Sequence, residues 1–305
     1  MTDVLIIGGG PAGLTAALYA ARKELAVTVI STDIGGQMLL TGAIDNYPGM
    51  PHVSGFELSD RLESHVKSYP VTFVTAGVKA LAQEEDGTFL LHLEDGKKLS
   101  GKTVIVTAGK RSRLLNIPGE EEYTGRRVSY CATCDAPFYR KKTVAVIGGG
   151  DSAVQAAIEL SRLCEKVYLL VRSRIRASEV IVRTLKSIPN VEVRMGVSPM
   201  EVLGEKKVSG LLVKDGTSSR EEALTLQGVF IEAGGIPNNS FLPSNVAVNE
   251  KGEVRTDKEG RTNIPGLFAA GDVTDSKNKQ IIIAAGEGAA AALAAHEYLL
   301  MKAER

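Results

Sequence analysis

One pattern occurs twice in this chain and restricts its fold more than any other: an apolar strand runs into three glycines and then into a helix. The first copy reads Val4-Leu5-Ile6-Ile7, then Gly8-Gly9-Gly10-Pro11-Ala12-Gly13, a helix to about residue 22 and a strand over 26–30. The second reads Val144-Ala145-Val146-Ile147, then Gly148-Gly149-Gly150-Asp151-Ser152-Ala153, a helix to about residue 164 and a strand over 167–171. Each position in the turn has its own physical task. Gly8 and Gly148 permit the tight strand-to-helix turn, Gly10 and Gly150 let backbone approach a pyrophosphate, and Gly13 and Ala153 let the helix lie close on the strand. The helix N-terminus then offers unpaired N–H groups and partial positive charge to phosphate. A lone GxGxxG is a weak signal, because glycine turns also arise for steric reasons. Here a strand precedes and a helix follows in both copies, as a dinucleotide turn requires. The expected class is α/β, with two Rossmann-like three-layer nucleotide-binding domains.

A chain of 305 residues that is 44% hydrophobic can bury the cores of two globular units. Its 36 basic and 36 acidic residues leave no positive excess to neutralise phosphates, which argues against nucleic acid or an anionic membrane as partner. The apolar stretch 281–295 is too short to span a bilayer and contains Glu287. No cationic segment precedes the first apolar run, so no secretory signal is expected and the chain reads as soluble and cytoplasmic.

Three cysteines do not make a disulfide scaffold. Cys164 lies alone in a helical pattern and reads as a small buried apolar residue. The other two form Cys131-Ala132-Thr133-Cys134, which is either half of a zinc site or a redox disulfide. Zinc needs further ligands, yet there is no second CxxC, and His52, His65, His92 and His296 are scattered, so redox chemistry is favoured. Thiol exchange proceeds through a thiolate, and the adjacent Asp135 is placed to manage the proton; its bland alternative is a solvated turn residue. Near the C-terminus, Gly266-Leu267-Phe268-Ala269-Ala270-Gly271-Asp272 predicts a short strand ending in a glycine turn with an acid, suited to a polyol chain. Lys279-Gln280 then precede an apolar helix from Ile281 to about residue 300, which serves core packing and could also stabilise negative charge on a reduced flavin.

Taken in order, these parts resemble the low-molecular-weight thioredoxin reductases over essentially the whole chain. The matching motifs are Gly8 to Gly13, Gly35-Gly36-Gln37, Asn46-Tyr47-Pro48-Gly49, Thr107-Ala108-Gly109, Cys131 to Asp135, Gly271-Asp272 and Lys279-Gln280. The resemblance implies a discontinuous FAD domain, 1–112 with 239–305, and an inserted pyridine-nucleotide domain, 113–238, carrying the CxxC. It implies a homodimer in which electrons pass from NADPH through FAD to the disulfide and on to a thioredoxin-like protein, with rotation between the domains. FAD would be held by Gly8, Gly10, Pro11, Ala12, Gly13, Ser31, Gly36, Gln37, Asn46, Thr107, Ala108, Gly109, Gly271, Asp272, Lys279, Gln280 and Ile281. NADPH would be held by Gly148, Gly150, Asp151, Ser152, Ala153, Arg172, Arg174 and Arg176. In the same way, Cys134 would lie nearer the flavin, Cys131 would attack the partner's disulfide, Asp135 would be the acid/base, and Arg126 and Phe138 would meet the partner.

The departures touch the electron donor and the partner. Where the family has His-Arg-Arg-Asp-x-Phe-Arg-Ala, this chain has Leu170-Val171-Arg172-Ser173-Arg174-Ile175-Arg176-Ala177, and the family's paired glutamates become Gln155 and Ala156. No acid stands where NADH enzymes bind the ribose hydroxyl, so NADPH is expected. One of two partner-facing aromatics is lost, leaving Phe138. The strand after the first turn ends at Ser31 instead of an acid, so FAD ribose is left to backbone or Asp33. A different donor such as ferredoxin, a dithiol oxidase and a non-catalytic flavin-binding sensor stand as rival readings. A peroxiredoxin reductase with a fused thioredoxin-like arm is disfavoured, because the chain starts directly at the first strand.

Overall fold

The structure is a computed structural model and describes residues 1–40 and 44–303. The backbone separates into two compact units: Met1–Arg111 with Ile236–Arg305, and Ser112–Gly235.

Each unit is built on a sheet with a parallel core whose central strands, Thr2–Gly9 and Thr143–Ile147, are largely buried on both faces. In the first unit the order is Val71–Thr75, Val27–Ile34, Thr2–Gly9, Lys98–Val106, Phe89–Leu93, Val78–Gln83, with Leu267–Ala269 also paired to Lys98–Val106. Successive side chains of a strand point to opposite faces. Val4 and Ile6 accordingly pack into the cluster formed with helices Pro11–Ala21 and Ile281–Ala303, while Leu5 and Ile7 face the antiparallel layer with Leu81, Phe89 and Leu91. Strand Lys98–Val106 joins both layers: residues 98–101 pair antiparallel with 89–92, and Val104 pairs parallel with Leu5 and Leu267.

The second unit repeats the arrangement with other residues. Its parallel sheet has the order Val191–Met195, Lys166–Val171, Thr143–Ile147, Val229–Ile231, Val128–Ser129. Val144 and Val146 pack toward helix Asp151–Ser161, while Ala145 and Ile147 face a three-stranded antiparallel sheet of Val197–Gly204, Val208–Asp215 and Glu221–Thr225. The three-layer α/β class expected from the two glycine turns is therefore the observed class.

Element ends differ from expectation in instructive ways. The second turn helix stops at Ser161, so Cys164 lies beyond it; it is buried, its thiol donates to the Tyr139 carbonyl, and burial pushes its pKa up to about 11. The strand expected to end near Ser31 continues to Ile34, and the C-terminal helix reaches Ala303. Among the described residues no helix is long and apolar enough to cross a membrane.

Candidate functional site

At the first turn, Gly8 adopts φ +117°, a region that L side chains avoid, and a methyl group there would run into the Thr107 carbonyl oxygen. Thr107 fixes the turn from the other side, its hydroxyl donating to the carbonyls of Ile7 and Gly8 at 2.9 and 3.0 Å. A methyl on Gly13 would collide with the Gly8 carbonyl, so glycine there is what lets the helix lie against the strand. Gly10 is different: nothing lies within 4 Å of where its Cβ would stand, and as N-cap of Pro11–Ala21 it leaves the helix without a side-chain cap. An open approach, free helix amides and no competing carboxylate in the first turn together fit a pyrophosphate.

Around this turn the chain gathers residues that the sequence named separately. Ser31 Oγ accepts the Gly9 N–H at 2.9 Å, and Asp33 accepts the Gly36 N–H at 2.9 Å. Ser31 thus braces the turn, and Gly36 lies beside it, where a methyl would sit 3.7 Å from the Gly10 Cα. A cavity of about 290 Å³ opens at the strand end, lined by Ser31, Asp33, Phe73 and Thr75 with others. Gly271 packs against Ala12, and its N–H donates to Glu287 at 2.8 Å. A second group forms further along: Asn46 donates to the Gln280 side chain at 3.0 Å, Lys279 donates to the carbonyls of Asp272 and Thr274, and Lys110 pairs with Asp272 at 3.7 Å. Ala108 and Gly109 offer their carbonyls to Asn238 at 2.9 and 3.0 Å. Ile281 begins the C-terminal helix and packs near Met38, and Gln37 is exposed.

The second turn has the same backbone. Gly148 is at φ +151°, Gly150 faces open space as an N-cap without a side-chain cap, and Ala153 is fully buried. Asp151, in the helix's first turn, accepts the Ser178 N–H at 2.9 Å, while Ser152 is exposed. The segment after the next strand folds over the turn: the Arg176 N–H donates to the Gly149 carbonyl at 2.6 Å, and the Arg174 carbonyl would meet a methyl on Gly149 at 2.8 Å. Arg172, Arg174 and Arg176 are exposed and make no ion pair among the described residues.

In the same unit Cys131 and Cys134 are joined as a disulfide with their Cα atoms 5.3 Å apart. Cys131 is the N-cap of helix Ala132–Asp135, and its sulfur accepts the Cys134 N–H at 3.2 Å. Burial raises the pKa of Asp135 above the ordinary carboxylate value, and the neighbouring Ser129 hydroxyl partly offsets it. Ser129 also accepts the Cys131 N–H at 3.1 Å. On the other flank, the buried Glu120 accepts the Tyr130 hydroxyl at 2.9 Å together with the Leu115 and Asn116 N–H groups, and Tyr130 is pushed up to about 12, mainly by burial. Ser129, Glu120, Glu287 and Lys110 carried no motif that marked them. Arg126 is exposed and makes no side-chain bond among the described residues, and Phe138 is 38% exposed.

Two glycine turns, each between a strand and a helix, and a disulfide-bonded cysteine pair coincide with a family match over residues 2–288, to the pyridine nucleotide-disulphide oxidoreductases. The chain belongs to that family. The oxidoreductase is similar in structure to thioredoxin reductase from Streptococcus pyogenes MGAS5005, with 38% identity, 99% of each chain covered and a TM-score of 0.93. It is similar also to thioredoxin reductase from Giardia duodenalis, with 30% identity, 98% of this chain and 99% of that chain covered, and a TM-score of 0.93. These matches place the oxidoreductase with the low-molecular-weight thioredoxin reductases, whose cofactors are FAD and NADPH. By sequence it is 45% identical over 302 residues to the F subunit of alkyl hydroperoxide reductase from Pseudomonas putida, covering 98% of this chain and 58% of that protein. The oxidoreductase thus spans less than two thirds of that relative.

Proposed function

We propose that the chain is an FAD-dependent disulfide reductase that takes electrons from NADPH and delivers them through Cys131 and Cys134 to a thioredoxin-like protein. The observation that carries this reading is the Cys131–Cys134 disulfide beside an Asp135 carboxyl held above its usual range, in a chain with two open dinucleotide turns. The first turn, with Ser31, Gly36, Gln37, Asn46, Thr107 to Gly109, Gly271, Asp272 and Lys279 to Ile281, would hold FAD. The second, with Asp151, Ser152, Ala153 and the three arginines, would hold NADPH, the guanidinium groups engaging its extra phosphate. Bound FAD supplies two-electron exchange between a nicotinamide hydride and a disulfide.

The chain's own groups carry the thiol chemistry. Once the pair is reduced, the Cys134 N–H that points at Cys131 Sγ favours the thiolate on Cys131. That thiolate attacks one sulfur of the partner disulfide, breaking its S–S bond and forming a mixed disulfide. Cys134 then attacks Cys131, which restores the internal disulfide and frees the partner as a dithiol. Protons are needed on the departing sulfurs, and Asp135 is protonated over a wider pH range than an exposed aspartate, so it is the donor at hand.

The identity with the F subunit of alkyl hydroperoxide reductase supports a second reading, in which the same chemistry serves a peroxiredoxin-type partner. Anaerobic addition of NADPH to the yellow protein, followed by an oxidised thioredoxin or an oxidised peroxiredoxin, tests both. Bleaching by NADPH and recovery of colour on adding thioredoxin is the expected result. Recovery with peroxiredoxin alone replaces the partner, and a flavin that stays oxidised under NADPH replaces the donor with a ferredoxin-like one.

A further inference from the structure

The cysteine pair is bracketed by Arg126-Arg127 on one side and Arg140-Lys141-Lys142 on the other, with Asp135 the one acid between them. Folding gathers part of this charge. The Arg127 guanidinium, at 3.3 Å, and the Lys142 ammonium both donate to the backbone carbonyl of Phe138. Both also stand over the Tyr139 ring, 5.2 and 5.7 Å from its centroid. Burial lowers the pKa of Lys142, the Arg127 and Lys207 charges push it the same way, and Cys164 acts against them by a smaller amount. None of these cations forms an ion pair among the described residues. Glu159 accepts the Thr133 hydroxyl at 3.0 Å, and the Glu165 N–H donates to the Lys142 carbonyl at 3.0 Å.

Arg127 also occupies an unfavourable backbone position, with φ +96°. Residues other than glycine hold such conformations at a cost, and they persist where the surroundings enforce them, often at functional sites. The Tyr139 ring is buried edge-on against Phe230 at 4.7 Å, in a space that exists because residue 228 is glycine. Phe138, next along the chain, is left exposed at the end of the helical segment that begins with the cysteines.

We propose that Phe138, Arg127 and Lys142 form a docking site for a disulfide protein whose surface around its disulfide is acidic. An apolar anchor beside unneutralised cations suits a partner that offers an apolar patch rimmed by carboxylates. This rests on the reading that the cysteine pair serves a protein disulfide.

The test compares holoenzyme turnover, with NADPH, of two thioredoxin-type disulfide proteins, one with carboxylates and one with lysines around its disulfide. Neutral bis(2-hydroxyethyl) disulfide is the reference in each assay, so that effects on NADPH divide out. Arg127→Gly removes the charge at a backbone position that suits glycine, and Lys142→Gln removes the second. Wild type is expected to favour the acidic protein, and the double variant to raise its KM about tenfold or more relative to the reference, as lost charge steering would. Added salt should reproduce that loss, with no such change for the basic protein. Equal shifts for both proteins, or none, would overturn the docking site while leaving the disulfide-reductase reading intact. Turnover of the neutral disulfide with neither protein reduced would overturn the protein-partner reading, and this proposal with it.

Discussion

At the first glycine turn, position 13 has no room for a methyl group; at the equivalent place in the second turn, Ala153 carries one and is fully buried. The first turn is clasped from several directions, by Thr107, Ser31, Gly36 and Gly271, whereas the second is flanked by the Glu232 backbone, whose carbonyl a methyl on Gly148 would run into, and by a segment that carries exposed arginines. The same backbone is therefore set in two environments. One is tight and uses neutral or backbone groups, as suits a group kept in place. The other leaves three unpaired cations in the open, as suits an anionic cofactor that comes and goes.

The most severe test of this contrast separates the units chemically. Cys134→Ser should abolish disulfide reduction while the protein keeps its yellow colour, because the cysteine pair belongs to the second unit and FAD is assigned to the first; unchanged turnover would defeat the mechanism. Next in size, Arg172→Ala with Arg176→Ala should raise the KM for NADPH but not for NADH. Each charge-assisted contact to phosphate is worth about 1.5–3 kcal/mol, roughly ten- to more than a hundred-fold. Equal effects on both cofactors would remove the arginines from the phosphate site.

Gly13→Ala should destabilise the first unit by about 1–3 kcal/mol through overpacking and lower the flavin bound per chain, measured by absorbance and thermal melting. Its counterpart Ala153→Gly should cost about 1 kcal/mol, as glycine does in a helix. If the two substitutions prove alike, the turns are not differently packed. The smallest effect concerns Asp135. Its folded-state pKa is raised, so its ionisation is disfavoured in the fold, and its contribution to stability falls as pH rises from the unfolded value through the folded one. Asp135→Asn should therefore melt slightly higher than wild type at pH 7, with the difference gone at pH 3, while partner reduction slows; a constant difference across that range would contradict the burial argument.

The glycine turns, the CxxC and the C-terminal helix could be read from sequence because each is local: a strand, a turn and a helix within about twenty residues impose their own periodicity. What escaped depends on distant partners. Nothing near Glu287 announces that it accepts the Gly271 N–H, and Ser129 looks like any strand residue until the fold sets it beside Asp135 and the Cys131 N–H. Ser31 stood out for what it lacks, an acid's charge, but the fold uses it to hold Gly9. Arg127 and Lys142 are fifteen positions apart in the chain and acquire meaning only by sharing the Phe138 carbonyl.

Strand Lys98–Val106 takes Leu267–Ala269 as a neighbour, and the helix beyond it, Ile281–Ala303, packs in one cluster with the helix of the first turn. A ribosome delivers these pieces after the whole of the second unit. That unit is one continuous stretch, Ser112–Gly235, and can close while the segment beyond it is still being made. The first unit waits with residues 104–106 of strand Lys98–Val106 unpaired on one side and its first helix bare on one side until Leu267–Ala269 and the long helix emerge. An exposed edge and an uncovered apolar face are what aggregation seeks. The vulnerable moment in this protein's life therefore falls after its second unit has closed and before that helix arrives, and it belongs to the unit that encloses the other in sequence.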